Sequence, residues 1–169
     1  MAKRIAVGDK VPDVTLMYNA QPEKEGICSA PKPVKTSELF AGKKVVLFGV
    51  PGAFTPLCHN THLPSYLTEF DVLKTKGVDV IACISTADVF VQDAWGKAEN
   101  VGSKILMLSD GNGEFVTKAG LSTDMTKFRF GPIRSQRFAL IAEDGVVKHI
   151  AVDGPKYGDT DAKAIVAKL

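Results

Sequence analysis

Lys43-Lys44-Val45-Val46-Leu47-Phe48-Gly49-Val50 is a short, β-branched apolar run with the character of a buried strand. Val78 to Ser85 is a second such run and Ile105 to Leu108 a third. Helical spacing lies between them. Leu63, Tyr66, Leu67, Phe70 and Leu73 fall on one face, and a shorter pattern covers Val89 to Lys97. Strands that alternate with helices predict a parallel α/β sheet. The rhythm then changes: Arg137 to Ala142, the turn Glu143-Asp144-Gly145 and Val146 to Ile150 predict a β-hairpin with Asp-Gly as its turn. Asp159 to Leu169 closes the chain as a short helix. The order predicts an α/β fold with a mixed central sheet flanked by helices.

The length of 169 residues fits a single domain over 1–169 with a sizeable core. Apolar residues make up 45% and charged residues 24%, which argues against disorder, collagen and coiled coil. With 21 Lys plus Arg against 19 Asp plus Glu, the net charge of +2 argues against nucleic-acid binding by bulk charge. No apolar run approaches the roughly 18 residues of a membrane span, and the basic start MAKRIAVGDKVPD lacks the apolar core of a signal peptide. Three cysteines point to an intracellular protein, in which a disulfide is catalytic rather than structural. Tyr18 to Lys35 is the one long polar stretch, a loop of the kind that carries function.

The chemistry concentrates in Val50-Pro51-Gly52-Ala53-Phe54-Thr55-Pro56-Leu57-Cys58. This segment leaves a buried strand, and open α/β sheets place their sites at the carboxyl ends of strands. Thr55-Pro56 has the form of a helix N-cap followed by proline at the first helical position. Cys58 then falls in the first turn, where free N–H groups and the helix dipole favour an anion. Cysteines in such places have pKa values lowered from about 8.5 to roughly 3.5–7.5. By position alone Cys58 is either a nucleophile or a small buried hydrophobe. No Gly-Lys-Ser/Thr follows, which excludes a phosphate loop, and there is no Cys-x-x-Cys. His59 and His62 at i and i+3 lack further ligands, so neither a metal nor a cofactor is expected.

Pro51-Gly-Ala-Phe-Thr55-Pro-x-Cys58 followed by Thr61-His62-Leu63-Pro64 resembles the active-site signature of the peroxiredoxins, closest to their type II (peroxiredoxin-5-type) subfamily. The likeness extends to Val7-Gly8-Asp9 with Pro12, Phe48-Gly49-Val50, Lys76-Gly77-Val78, Trp95-Gly96-Lys97 and Arg137-Phe138-Ala139. It implies a thioredoxin-like fold and a peroxidase acting on hydrogen peroxide and alkyl hydroperoxides. By this resemblance Cys58 is the peroxidatic cysteine and Thr55 supplies a hydroxyl to the thiolate or peroxide. Pro51 shields the pocket from water. Arg137 holds the thiolate and polarises the peroxide; without the resemblance it is not separable from Arg129 and Arg134. Leu57 stands where this subfamily often has Gly, which keeps the backbone N–H but adds bulk at the pocket mouth.

The implied reaction is attack of the thiolate on a peroxide oxygen to give a sulfenic acid. No cysteine follows Cys83, which excludes a resolving cysteine near the C-terminus. Cys83, mid-strand, has the character of a buried structural thiol, although a role has been assigned to the matching cysteine of some plant-type members. Cys28-Ser29-Ala30-Pro31-Lys32-Pro33-Val34 resembles the Cys-x-x-Pro-x-x-Val segment of the fungal alkyl hydroperoxide reductase branch, in which that cysteine resolves. Cys28 as resolver, reduced by thioredoxin, and a one-cysteine mechanism using glutathione or glutaredoxin both stay open. So do a redox sensor or relay that oxidises once and a non-catalytic chaperone-like scaffold. The resemblance also implies a homodimer, with Ala53-Phe54 and the loops near Trp95 as its surface. The expected location is the cytoplasm; the terminal Ala167-Lys168-Leu169 resembles the Ser-Lys-Leu peroxisomal address.

Overall fold

The computed structural model describes residues 2–20 and 30–169. Its strands are β1 (Thr15–Asn19), β2 (Pro31–Lys35), β3 (Lys44–Gly49), β4 (Val80–Ser85), β5 (Leu106–Ser109), β6 (Ser122–Thr123), β7 (Arg134–Ser135), β8 (Phe138–Glu143) and β9 (Val146–Val152). Its α-helices are α1 (Thr36–Phe40), α2 (Leu63–Thr68), α3 (Phe70–Thr75), α4 (Val89–Ala98), α5 (Glu114–Lys118) and α6 (Ala162–Val166). A seven-stranded sheet runs in the order β2-β1-β5-β4-β3-β8-β9, while β6 and β7 pair separately. β3, β4 and β5 are parallel. The β1–β2, β1–β5, β3–β8 and β8–β9 pairs are antiparallel, which makes the sheet mixed, as expected.

Strand alternation divides the core in two. Val45, Leu47, Ala82, Ile84, Leu140 and Ala142 face one side, where they meet α1 and α5. Val46, Phe48, Ile81, Cys83, Ala139 and Ile141 face the other, with Cys58, Leu63, Tyr66, Trp95 and Ile165. The central strands are therefore apolar on both faces, the pattern of a sheet covered by helices on each side. Gly49 sits opposite Phe138 across the β3–β8 pair, and a Cβ there would stand 2.0 Å from the Phe138 ring. The Asp-Gly hairpin is present: Asp144 and Gly145 have φ of 48° and 74°, the two positive values of a type I′ turn.

One expectation needs correction. The ends of the Tyr18–Lys35 stretch are strand, not loop: Tyr18 and Asn19 belong to β1, and Pro31 to Lys35 form β2. Prolines disguised β2. It lies at the sheet edge, where Pro31 and Pro33 cost no ladder bond on the open side. The helical stripe from Leu63 to Leu73 exists but breaks at Glu69 into α2 and α3, with Leu63, Tyr66 and Leu73 fully buried. The final helix is shorter than the expected Asp159–Leu169, starting after Asp161, whose side chain accepts from Lys163 N–H. No helix among the described residues is long and apolar enough to cross a membrane.

Candidate active site

Cys58 opens a π-helical turn, Cys58–His62, that leads directly into α2. The sequence forces this geometry. Pro64 has no N–H for the carbonyl of Asn60, and its ring would crowd that carbonyl in an α-register. The Leu63 N–H instead reaches five residues back to the Cys58 carbonyl. Such wide turns cost stability and recur at functional sites. Upstream, the chain leaves β3 and turns sharply at Phe54, whose φ of 61° is unusual for a side chain of that size. The His59 N–H donates to the Thr55 carbonyl at 2.8 Å, so Thr55 and Pro56 hold the expected N-cap and first helical positions. The Thr55 hydroxyl caps no N–H; it donates to the Gly52 carbonyl at 2.9 Å and folds the loop onto itself.

The Cys58 side chain is fully buried. Arg137, one residue before β8, reaches across the sheet end and places Nη2 at 3.3 Å from Cys58 Sγ. Its Nη1 lies 3.0 Å from His62 Nδ1. A guanidinium only donates, so His62 Nδ1 is the acceptor and Nε2 carries the proton. That proton goes to the Thr160 carbonyl at 3.1 Å. Burial first, and then the Arg137 charge, push the His62 imidazole from 6.5 down to about 4. His62 is therefore a neutral acceptor that fixes the guanidinium plane.

The Tyr66 hydroxyl donates to the same Thr160 carbonyl at 2.8 Å, and burial holds its own ionisation well above the usual range. The Phe48 and Tyr66 rings stack at 3.9 Å, and Tyr157 lies edge-on to His62 at 5.5 Å with the Arg137 guanidinium 5.9 Å from its centroid. The segment ahead of α6 thus closes the site from the C-terminal side. Asp153 holds that segment in place, accepting from Asp159 N–H at 2.9 Å and from the Thr160 hydroxyl at 2.5 Å. On the other flank His59 Nδ1 meets both the Glu99 carboxylate and, at 3.1 Å, the Trp95 indole N–H. One nitrogen cannot donate to the first and accept from the second. The charged carboxylate is the stronger partner, so Nδ1 donates to Glu99.

Cys58, Thr55, Pro51 and Arg137 thus lie along one path, from the carboxyl end of β3 through the turn to the start of β8. Cys28 lies outside the described residues. Cys83 is fully buried within β4; burial, with a smaller contribution from Cys58, raises its thiol well above the ordinary range and keeps it protonated. His62 stands within the signature but without a role there, and nothing in the sequence singles out Tyr66, Tyr157 or Thr160 as parts of a thiol site. The spacing Cys58–His62, one turn apart, was the available signal for His62.

A buried thiol under a guanidinium, at the carboxyl end of a parallel strand in a thioredoxin-like sheet, defines a redox enzyme that works through cysteine. The redoxin family model matches residues 6–166. Peroxiredoxin-2E-2, chloroplastic, from Oryza sativa subsp. japonica is 47% identical over 98% of this chain and 72% of its own length. Peroxiredoxin-2E, chloroplastic, from Arabidopsis thaliana is 43% identical over 98% of this chain and 69% of its own. The crystal structure of reduced Prx3 in complex with hydrogen peroxide from Vibrio vulnificus superposes with a TM-score of 0.87 at 45% identity, covering 96% of this chain and 98% of that one. The chain belongs to the redoxin family and, within it, to the peroxiredoxins. It is an oxidoreductase, a thiol-dependent peroxidase that takes peroxide substrates and a thiol reductant.

Proposed function

We propose that Cys58 is the peroxidatic cysteine, and the observation that carries this is the 3.3 Å contact from Arg137 Nη2 to its sulfur. The thiolate attacks one oxygen of ROOH; an S–O bond forms and the O–O bond breaks. The electron pair leaves on RO⁻, which takes up a proton to become ROH, while Cys58 becomes a sulfenic acid. Arg137 donates to the charge that develops on the departing oxygen. The Thr55 hydroxyl directs its hydrogen bond to the Gly52 carbonyl, so its lone pairs are available to accept the peroxide O–H. Pro51, half-buried beyond β3, is the wall that keeps water back.

Cys28 resolves the sulfenic acid as a disulfide. In the chain it falls between β1 and β2. The buried Cys58 sulfur must come out for this step, and the π-turn ahead of Pro64 is the part of its helix with the weakest register. Cys83, buried and held protonated, is unsuited to the task. The protein works as a homodimer. Phe54 and Phe90 are 48% and 60% exposed, and Phe90 rides on α4, the helix that carries Trp95 beneath Phe54.

The test is intact mass without reductant after one equivalent of hydrogen peroxide, on wild type and Cys28→Ser. A Cys58–Cys28 disulfide in wild type and a sulfenic acid in the variant are expected, with thioredoxin then the reductant to try. A sulfenic acid in both proteins would overturn Cys28 and leave a one-cysteine cycle with glutaredoxin or glutathione. A Cys58 that stays reduced in both would overturn the site assignment.

A further inference from the structure

A cleft of about 320 Å³ opens beside the loop that leads to Cys58, with Thr86, Asn112, Phe130, Ile133 and Arg134 among its walls. It lies past the carboxyl ends of two parallel strands: Thr86 follows β4, and Asn112 lies beyond β5. Its Arg134 side chain extends toward the segment that follows β3, since a Cβ on Gly52 would stand 3.8 Å from Arg134 Nη1. The cleft therefore occupies the place where open α/β sheets take ligands, and it abuts the loop whose Gly52 carbonyl accepts from Thr55.

Its chemistry is lopsided. Arg134 Nε donates to the Phe130 carbonyl at 2.7 Å, and the guanidinium lies 5.5 Å from the centre of the Phe130 ring. The cation has no salt bridge among the described residues. From Thr126 to Arg134 the chain carries Lys127, Arg129 and Arg134 and no acid. The acid just before them, Asp124, is spent on the Thr126 N–H at 2.8 Å. Phe130 and Ile133 are 41% and 45% exposed. The Thr86 hydroxyl is buried and has no hydrogen-bond partner, which costs free energy unless a ligand or water supplies one. An unpaired cation, an orphan hydroxyl and an apolar wall beside a peroxide site fit the two ends of one molecule.

We infer that this cleft binds the carboxylate end of an organic hydroperoxide whose peroxide end reaches Cys58, with Arg134 as its anchor. The inference rests on Cys58 being the peroxidatic cysteine. Hydrogen peroxide is too small to touch the cleft; a hydroperoxide with an apolar body and a carboxylate fills it. The Arg134 Nη atoms donate to the carboxylate, and Phe130 and Ile133 cover the chain.

The test is single-turnover oxidation of the reduced protein, quenched and read by intact mass, with no reductant present. This isolates the peroxide from any carboxylate on a thiol such as glutathione. The probes are the hydroperoxide of linoleic acid, below its micelle concentration, and that of its methyl ester. Wild type should react about tenfold faster with the acid, the worth of one charge-assisted hydrogen bond. Arg134→Gln should bring the ratio to about one, and Arg134→Lys should retain part of it. In wild type the advantage should also shrink as salt rises from about 0.01 M to about 0.5 M, a readout that needs no variant to fold. Equal rates for acid and ester in wild type, a ratio untouched by salt, or a ratio that survives Arg134→Gln would each overturn the inference. Absence of Cys58 oxidation even by hydrogen peroxide would instead overturn the site assignment beneath it.

Discussion

Arg137 makes two hydrogen bonds with different jobs. Nη2 faces the Cys58 sulfur, and Nη1 is held by a histidine that burial keeps neutral. A cation that only favoured the thiolate would act through the fraction of thiolate present, a limited gain at neutral pH and one offset by lower nucleophilicity. A cation aimed at the departing oxygen acts on the transition state itself. Loss of one such donor costs about 10²–10³-fold in rate. Arg137→Ala should therefore lower the second-order rate constant for hydrogen peroxide by about that factor even at a pH where Cys58 is fully ionised. Stopped-flow rates against pH test this. A rate that recovers to the wild-type value once the thiol is deprotonated would mean that Arg137 serves the thiolate alone. None of this was legible for Arg137 from composition or spacing, because three arginines lie close together in that stretch and only the fold brings one onto the sulfur. Cys58 was legible, because its place one turn into a helix after a buried strand is a local property.

The strands, the hairpin and the amphipathic stripe were legible at the scale of elements because each is a local period of apolar residues. The edge strand β2 was not, since its two prolines are acceptable only once its neighbours are known. The π-turn was not legible either, although its cause was: Pro64 stands six residues after Cys58. Pro64→Ala restores an N–H to the helix and lets the turn close in an α-register. One added hydrogen bond contributes about 1 kcal/mol, equal to roughly a fivefold shift between the closed and unwound turn. The variant should show slower amide exchange at His62 and Leu63. Capture of oxidised Cys58 by an added thiol should slow by about the same fivefold. Faster capture, or unchanged exchange with slower capture, would show that the turn is not what opens.

Across the whole molecule, the same His62 that orients Arg137 ties stability to pH. Its ring bridges Arg137 just before β8 and Thr160 before α6, so it joins the C-terminal segment to the core. The folded imidazole titrates at about 4 against 6.5 when unfolded. Between those values the unfolded chain binds a proton that the folded one refuses, so stability rises with pH. The contribution is complete above the unfolded value and is lost as pH falls toward about 4. It amounts to about 3 kcal/mol, a sizeable part of a typical folding free energy. Asp110, raised by burial, works the other way in acid, because its folded carboxyl takes up a proton more readily than the unfolded one. A bare acid titration therefore mixes opposing signs, and the comparison must be with a variant that lacks the imidazole. His62→Asn keeps a donor and an acceptor but does not titrate. Its urea midpoint should fall less than that of wild type between pH 7 and pH 4.5, with the gap opening below pH 6.5. Parallel losses in the two proteins would mean that the buried imidazole is not what makes this fold acid-sensitive. A protonated His62 also ceases to accept from Arg137, but the folded imidazole takes up its proton only near pH 4, so the loss of peroxide reactivity from this cause should begin there and not across the stability limb above it.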